Sequence, residues 1–103
     1  MTVIAGIDPA KLFMIKKYCP SIDILGLNVY GAIQNAPLNI RKFNWNKPYI
    51  ISEWGVNGPF EAQTTSWKAK IEPPNGIKAQ QRIRRYTNII ETDKERCLGS
   101  YCF

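Results

Sequence analysis

The sequence predicts an α/β fold with parallel strands in the order β-α-β-α-β-α-β. Apolar strand-like runs alternate with helix-like runs along the 103 residues. The second strand-like run is nearly continuous in apolar residues, which is typical of a strand covered on both faces. Alternation at this spacing favours a parallel sheet with right-handed crossovers. We expect one domain over 1–103, without an internal repeat or a linker.

Local signals mark the ends of several predicted elements. Asp8-Pro9 predicts the start of a helix, because aspartate caps free N–H groups and proline suits the first turn. Cys19-Pro20 stops that helix, and Pro48 is permitted at the first position of a strand. The predicted strands are Thr2 to Ala5, Ile22 to Tyr30, a run beginning at Pro48, and Cys97 to Phe103; the predicted helices are Asp8 to Tyr18, Pro37 to Phe43 and Ile77 to Asp93.

A long irregular stretch, Gly55 to Gly76, separates the third predicted strand from the last helix. It contains several Gly and Pro turn signals. A loop of this length in a small domain is often functional. The helix that follows has an apolar stripe at i, i+4, i+7 and i+11, the pattern of a core-facing helix. The stripe consists of Ala79, Ile83, Tyr86 and Ile90.

The net charge of +6 comes from 14 basic and 8 acidic residues. The densest basic cluster, Arg82, Arg84 and Arg85, could attract nucleic acid. A solvated helix face is the favoured interpretation, since only Tyr86 among nearby aromatics could stack on bases. We therefore expect no nucleic-acid partner.

No apolar run approaches the ~20 residues of a membrane span, so no membrane partner is expected. Met1 to Ile7 lacks the features of a signal peptide, and the segment does not fix a compartment.

The chain has three cysteines, Cys19, Cys97 and Cys102, and no histidine. Zinc sites of the usual Cys/His spacing and Ser-His-Asp machinery both need histidine. We expect all three cysteines to be small buried hydrophobes. We also expect no metal and no cofactor. Carboxylates are therefore the leading candidates for any catalysis.

Glu53 is the most informative residue, because it ends an apolar strand-like run. A lone acid at the carboxyl end of a buried strand is costly to place in a core and usually faces an opening. In parallel α/β folds that opening is where active sites form. The strand ends bring Asn28 and Tyr30 to the same side, where the phenol can donate to the carboxylate. Trp54 and Trp67 offer apolar ring faces to a sugar.

Three motifs together resemble the C-terminal half of a clan A glycoside hydrolase, closest to the family 2-type TIM-barrel catalytic domains of bacteria. They are Asn28-Val29-Tyr30-Gly31, Lys47-Pro48-Tyr49-Ile50-Ile51-Ser52-Glu53-Trp54-Gly55 and Leu98-Gly99-Ser100-Tyr101. The resemblance covers essentially the whole chain, 1–103, as strands five to eight of a (β/α)8 barrel. It implies Glu53 as the nucleophile and Tyr30 as the residue that orients it. Asn28 stands where the clan often has a histidine. A carbohydrate substrate and a periplasmic or secreted protein are also implied.

The resemblance departs from the clan at the general acid/base. The clan supplies it as a glutamate, commonly in an Asn-Glu pair at the end of the fourth strand, and no such pair exists here. The resemblance therefore implies part of a retaining β-glycoside hydrolase whose acid/base lies outside the chain, and we expect the chain to be inactive by itself. A half-barrel also exposes a strand edge, which favours self-association.

Other interpretations remain open for several residues. The chain could be a non-catalytic module that binds carbohydrate or protein through the loop face that contains Trp67. Trp54 and Trp67 could serve loop packing, and Tyr30 could be a core aromatic. We expect Trp45 to pack in the core or at a helix cap. Glu61 and Glu72 are expected to be solvated or salt-bridged loop acids.

Overall fold

Four parallel strands form one sheet in the order β1-β2-β3-β4, so each strand lies beside its neighbour in sequence. The computed structural model describes residues 1–103. A helical segment connects each pair of strands, which confirms the predicted α/β class and element order. The strands are β1 (Thr2–Ala5), β2 (Leu25–Asn28), β3 (Tyr49–Trp54) and β4 (Cys97–Cys102), and the α-helices are α1 (Pro9–Tyr18), α2 (Ala36–Lys42) and α3 (Asn75–Arg85).

The core lies between one face of the sheet and the helices. Leu25 and Leu27 of β2, together with Tyr49 and Ile51 of β3, are at most 1% exposed. They alternate along their strands, and alternate residues of a strand point to the same face. Helical residues complete the cluster, and Trp45 joins it at 2% exposure, which confirms its predicted place in the core.

The start of α1 follows the sequence signal. The Asp8 side chain accepts a hydrogen bond from the backbone N–H of Ala10 at 2.8 Å, and Pro9 occupies the first turn. The helix ends at Tyr18, as predicted. None of the helices is long and apolar enough to cross a membrane.

The second strand is shorter than the sequence predicts. The N–H of Ile22 donates to the carbonyl of Cys19, so the chain is still turning there. Regular pairing spans only Leu25–Asn28, although the N–H of Val29 still donates to the carbonyl of Glu53. A 3-10 turn over Gly31–Asn35 then precedes α2.

The prediction that all three cysteines are buried is wrong for two of them. Cys97 is buried, whereas Cys19 and Cys102 are exposed. Cys19 lies just beyond the end of α1, and Cys102 ends β4, a strand at the edge of the sheet.

The predicted apolar stripe of the last helix is wrong for Ala79, Ile83 and Tyr86, which are exposed, and confirmed only at Ile90. No residue of α3 is buried, and Ile83 is 67% exposed. The helix continues as a π-helical turn over Tyr86–Ile90, where Ile89 and Ile90 are both buried. A π turn takes one residue more than an α turn, which rotates the residues that follow. Two consecutive isoleucines, rather than an α-helical stripe, therefore pack against the core.

A buried acid, Asp93, joins the end of α2 to the start of β3 through two side-chain hydrogen bonds. Asp93 is 3% exposed, and its carboxylate accepts from Arg41 Nη2 at 2.6 Å and from the Tyr49 hydroxyl at 2.7 Å. Burial, with a smaller part from the hydrogen bond to Asp93, raises the pKa of Tyr49. The three side chains tie α2 and β3 to the turn that precedes β4.

Candidate functional site

An irregularity in β3 places two of its residues next to Asn28 of β2. The pairing shifts from Gly26 opposite Ile50 to Asn28 opposite Glu53, so β3 has one residue more than β2 in that stretch. Such bulges redirect side chains and are frequent beside active sites. As a result, Ser52 and Glu53 both contact the side chain of Asn28.

Both carboxylate oxygens of Glu53 accept a hydrogen bond from a neighbouring side chain. The Tyr30 hydroxyl donates to Oε1 at 2.6 Å, and Asn28 Nδ2 donates to Oε2 at 3.0 Å. The three side chains are partly buried at the carboxyl ends of the strands. The structure thus brings together three residues that the sequence singled out. The carboxylate is held in one orientation at the edge of the parallel sheet.

Ser52 fixes the orientation of the Asn28 amide. The Ser52 hydroxyl donates to Asn28 Oδ1 at 2.8 Å. With its oxygen engaged in this way, the amide presents its N–H group to the Glu53 carboxylate. Sequence reasoning missed Ser52, because consecutive residues of a regular strand face opposite sides of the sheet.

The hydrogen bond to Glu53 raises the pKa of Tyr30, with smaller contributions from burial and from the negative charge of Glu53. We expect Glu53→Gln to lower that pKa toward its ordinary value of 10.0, because the phenolate would no longer form beside a carboxylate. The pKa is measurable from the pH dependence of the Tyr30 ring carbon signals in NMR spectra. Glu72→Gln should leave that titration unchanged, since Glu72 pairs with Lys78 in the loop. An unchanged Tyr30 titration in Glu53→Gln would contradict the pairing.

The stacking role expected of Trp54 needs correction. Trp54 is 3% exposed and belongs to the core cluster, so neither face of its ring is open to a ligand. It ends β3 on the side of the sheet that the helices cover, where its indole N–H is buried without a hydrogen-bond partner. The residue after Glu53 thus stabilises the strand end instead of lining the opening.

Trp67 lies in the loop and is 76% exposed. It sits between Thr64 and Lys70, which form an isolated antiparallel bridge. It does not line the cavity that contains Glu53. The structure therefore does not bring Trp67 to the site, and its predicted contact with substrate has no geometric support.

The cavity beside Glu53 has a volume of about 490 Å³. One wall consists of the strand ends, with Asn28, Tyr30 and Glu53. A second wall consists of the loop after β3, with Phe60 and Glu61. Small-molecule sites typically measure ~300–1,000 Å³, so the cavity is large enough for a small ligand. No group of three His, Cys, Asp or Glu side chains is placed to hold a metal ion.

The two loop acids differ in their surroundings. Glu72 forms an ion pair with Lys78, as predicted for a salt-bridged loop acid. Glu61 is exposed, as predicted for a solvated loop acid, but its carboxylate also accepts from the backbone N–H of Gly31 at 2.8 Å and 3.0 Å. Glu61 is therefore a structural contact between the loop and the end of the second strand. Its long-range partner, a backbone N–H, leaves no signal in the sequence.

Two arginines of the basic cluster hold backbone segments. Arg85 is partly buried and donates to the carbonyl of Gly55 and to Asn57 Oδ1. Arg82 donates to the carbonyl of Phe103 at 3.3 Å. The prediction of a solvated helix face is thus wrong for Arg85, whereas Arg84 is exposed and the hydrogen bond of Arg82 lies at the surface. Arg85 and Arg82 fasten the segment that follows Glu53 and the end of β4.

No family model matches this chain, and no curated protein matches it. Its function is therefore inferred from the geometry of the Glu53 site.

Proposed function

We propose that this chain is the C-terminal half of a (β/α)8 barrel of a retaining β-glycoside hydrolase, with Glu53 as the nucleophile. One observation carries the proposal. Tyr30 and Asn28 hold both oxygens of the Glu53 carboxylate at the carboxyl edge of a parallel sheet, beside an open cavity. The same edge of the sheet carries the active site in (β/α)8 enzymes. The four parallel strands and their crossover helices are consistent with half of such a barrel.

The reaction follows from a fixed carboxylate beside a sugar. A Glu53 oxygen attacks the anomeric carbon, and the bond between that carbon and the leaving oxygen breaks, so a glycosyl ester forms on Glu53. Water then attacks the anomeric carbon and releases the sugar. In retaining enzymes a second carboxyl group about 5–5.5 Å away protonates the leaving oxygen and then activates the water. We assign that group to the other half of the barrel.

The proposal is tested by covalent labelling of Glu53 in the purified 103-residue chain. The reagent is an activated fluorosugar with a dinitrophenolate leaving group, supplied as gluco, galacto and manno forms. Dinitrophenolate leaves with the bonding electron pair and needs no proton, so the missing acid/base does not block the first step. We expect one glycosyl adduct by intact mass, located by peptide mapping on the peptide that contains Glu53.

Two variants test whether the label depends on the Glu53 carboxylate. Glu53→Gln removes the nucleophilic carboxylate and should abolish the adduct. Glu72→Gln, which changes an exposed acid in the loop, should be labelled at the wild-type rate. No adduct with any of the three reagents, or an adduct that persists in Glu53→Gln, would overturn the assignment of Glu53 as nucleophile.

A further inference from the structure

The turn after β3 that lines the Glu53 cavity carries an almost fully exposed phenylalanine. Phe60 is 97% exposed, the highest value among the large apolar residues, yet it lines the cavity. We propose that Phe60 is the platform on which the apolar face of a pyranose ring stacks, and that Glu61 is the positioning residue that holds it there. This inference rests on the proposed function, because it names a sugar contact of the same site.

Glu61 fastens the turn to the neighbouring strand end. Its Oε1 and Oε2 both accept from the N–H of Gly31, at 2.8 Å and 3.0 Å, and Oε2 also accepts from the N–H of Gly58 at 3.4 Å. The N–H of Glu61 donates in turn to the carbonyl of Gly58 at 3.0 Å. Hydrogen bonds to an ionised acceptor are stronger than neutral ones. The carboxylate therefore anchors the turn to the residue directly after Tyr30.

Glycine at position 31 leaves the space that the Glu61 carboxylate occupies. A Cβ atom at position 31 would lie 2.5–2.9 Å from the three carboxyl atoms of Glu61, closer than real contacts allow. The backbone of Gly31 does not lie in the left-handed region, so its conformation does not demand glycine. The absence of a side chain thus permits the carboxylate to approach the backbone N–H.

The chemistry of the two walls indicates the class of ligand. The strand wall offers the hydrogen-bonding groups of Asn28, Tyr30 and Glu53, and the loop wall offers one exposed aromatic ring. A pyranose has hydroxyl groups around its edge and C–H groups on its faces, so it satisfies both walls at once. A flat apolar ligand would leave the polar wall desolvated and unpaired, which is unfavourable.

The test is an NMR titration with methyl β-glucopyranoside, methyl β-galactopyranoside and methyl β-mannopyranoside. We expect saturable shifts of the Phe60 ring signals with at least one probe. Phe60→Ala should weaken binding about tenfold, the size of a single aromatic contact. Phe60→Tyr should bind the sugar as tightly as the wild type does, because the ring face is retained. Trp67→Ala, which removes another exposed aromatic of the same loop, should bind as the wild type does.

Glu61→Gln tests the positioning role, with Phe60 left intact. The amide is uncharged, and only its oxygen can accept from the Gly31 and Gly58 N–H groups. We expect weaker sugar binding and faster motion of the Phe60 ring in NMR relaxation data. Wild-type binding and ring motion in Glu61→Gln would overturn the role of Glu61.

The outcomes separate this inference from the proposed function. Fluorosugar labelling of Glu53 together with unaltered sugar binding by Phe60→Ala would overturn the platform and leave the nucleophile standing. The platform is likewise overturned if Glu53 is labelled but none of the three probes binds. Binding lost in Trp67→Ala, rather than in Phe60→Ala, would move the contact to the other part of the loop. Phe60-dependent binding without labelling of Glu53 would support the platform and reject the nucleophile.

Discussion

Replacing Asp93 with alanine is expected to lower the free energy of unfolding by about 3 kcal/mol, because a buried network loses its only acceptor. The Tyr49 hydroxyl would remain in the core without a hydrogen-bond partner, since Tyr49 is 1% exposed. The Arg41 guanidinium would lose its ion pair but could turn to water, as its side chain is 56% exposed. Most of the cost therefore comes from the unpaired hydroxyl. A domain of this size has a total of about 5–15 kcal/mol, so the loss is a large fraction of it.

Urea unfolding followed by circular dichroism measures this loss as a lower midpoint. Glu91→Ala is the matched control, because Glu91 is exposed, lies two residues earlier and forms only a 3.8 Å pair with Lys94. The control should change the free energy of unfolding by less than about 0.5 kcal/mol. Equal midpoints for the wild type and Asp93→Ala would show that the network does not stabilise the fold.

The Asp93 network also shows why the sequence predicts some parts of this protein and not others. Elements with strong local signals match their predictions: β1 has the predicted bounds, and Asp8 caps α1 as expected. Asp93 and its partner Arg41 are separated by 52 positions in the chain. Contacts over such a distance depend on how elements pack, and an acid at the end of a polar helix carries no local sign of burial.

The sequence predicts those parts of the Glu53 site that depend only on where the strands end. Parallel strands align their carboxyl ends, which is enough to place Asn28, Tyr30 and Glu53 together. The bulge in β3 is not predictable, because no local pattern requires the extra residue. For that reason the sequence does not reveal the hydrogen bond from Ser52, and it suggests that Trp54 lines the opening although this residue packs in the core.

In the loop after β3, residue type alone does not show which aromatic side chain lines the Glu53 cavity. Trp67 stands out by residue type, whereas Phe60 lines the cavity. The difference comes from the Glu61 carboxylate, which accepts from the N–H of Gly31 thirty positions earlier. A sequence shows which aromatic residues a loop contains, but long-range hydrogen bonds decide which of them reaches the site.

Hydrolysis of an unactivated disaccharide by this chain alone is expected to be undetectable, even if an activated fluorosugar labels Glu53. A sugar leaving group must be protonated as it departs, and a positioned general acid contributes about 10²–10⁴-fold to the rate. The one other carboxylate that lines the Glu53 cavity is Glu61. Both of its oxygens accept from backbone N–H groups, and a general acid must instead donate a proton toward the substrate. Glu61 is therefore occupied as an anchor.

The dependence of rate on the leaving group measures this deficit. The isolated chain should release dinitrophenolate from a dinitrophenyl glycoside and no measurable sugar from cellobiose or lactose, because only the first leaving group departs without a proton. Dinitrophenolate release should be absent in Glu53→Gln. If the chain turns over a disaccharide, and Glu61→Gln removes that turnover while dinitrophenolate release persists, then Glu61 acts as the acid. The catalytic pair would then lie within these 103 residues, and the assignment of the acid/base to another half of a barrel would be wrong.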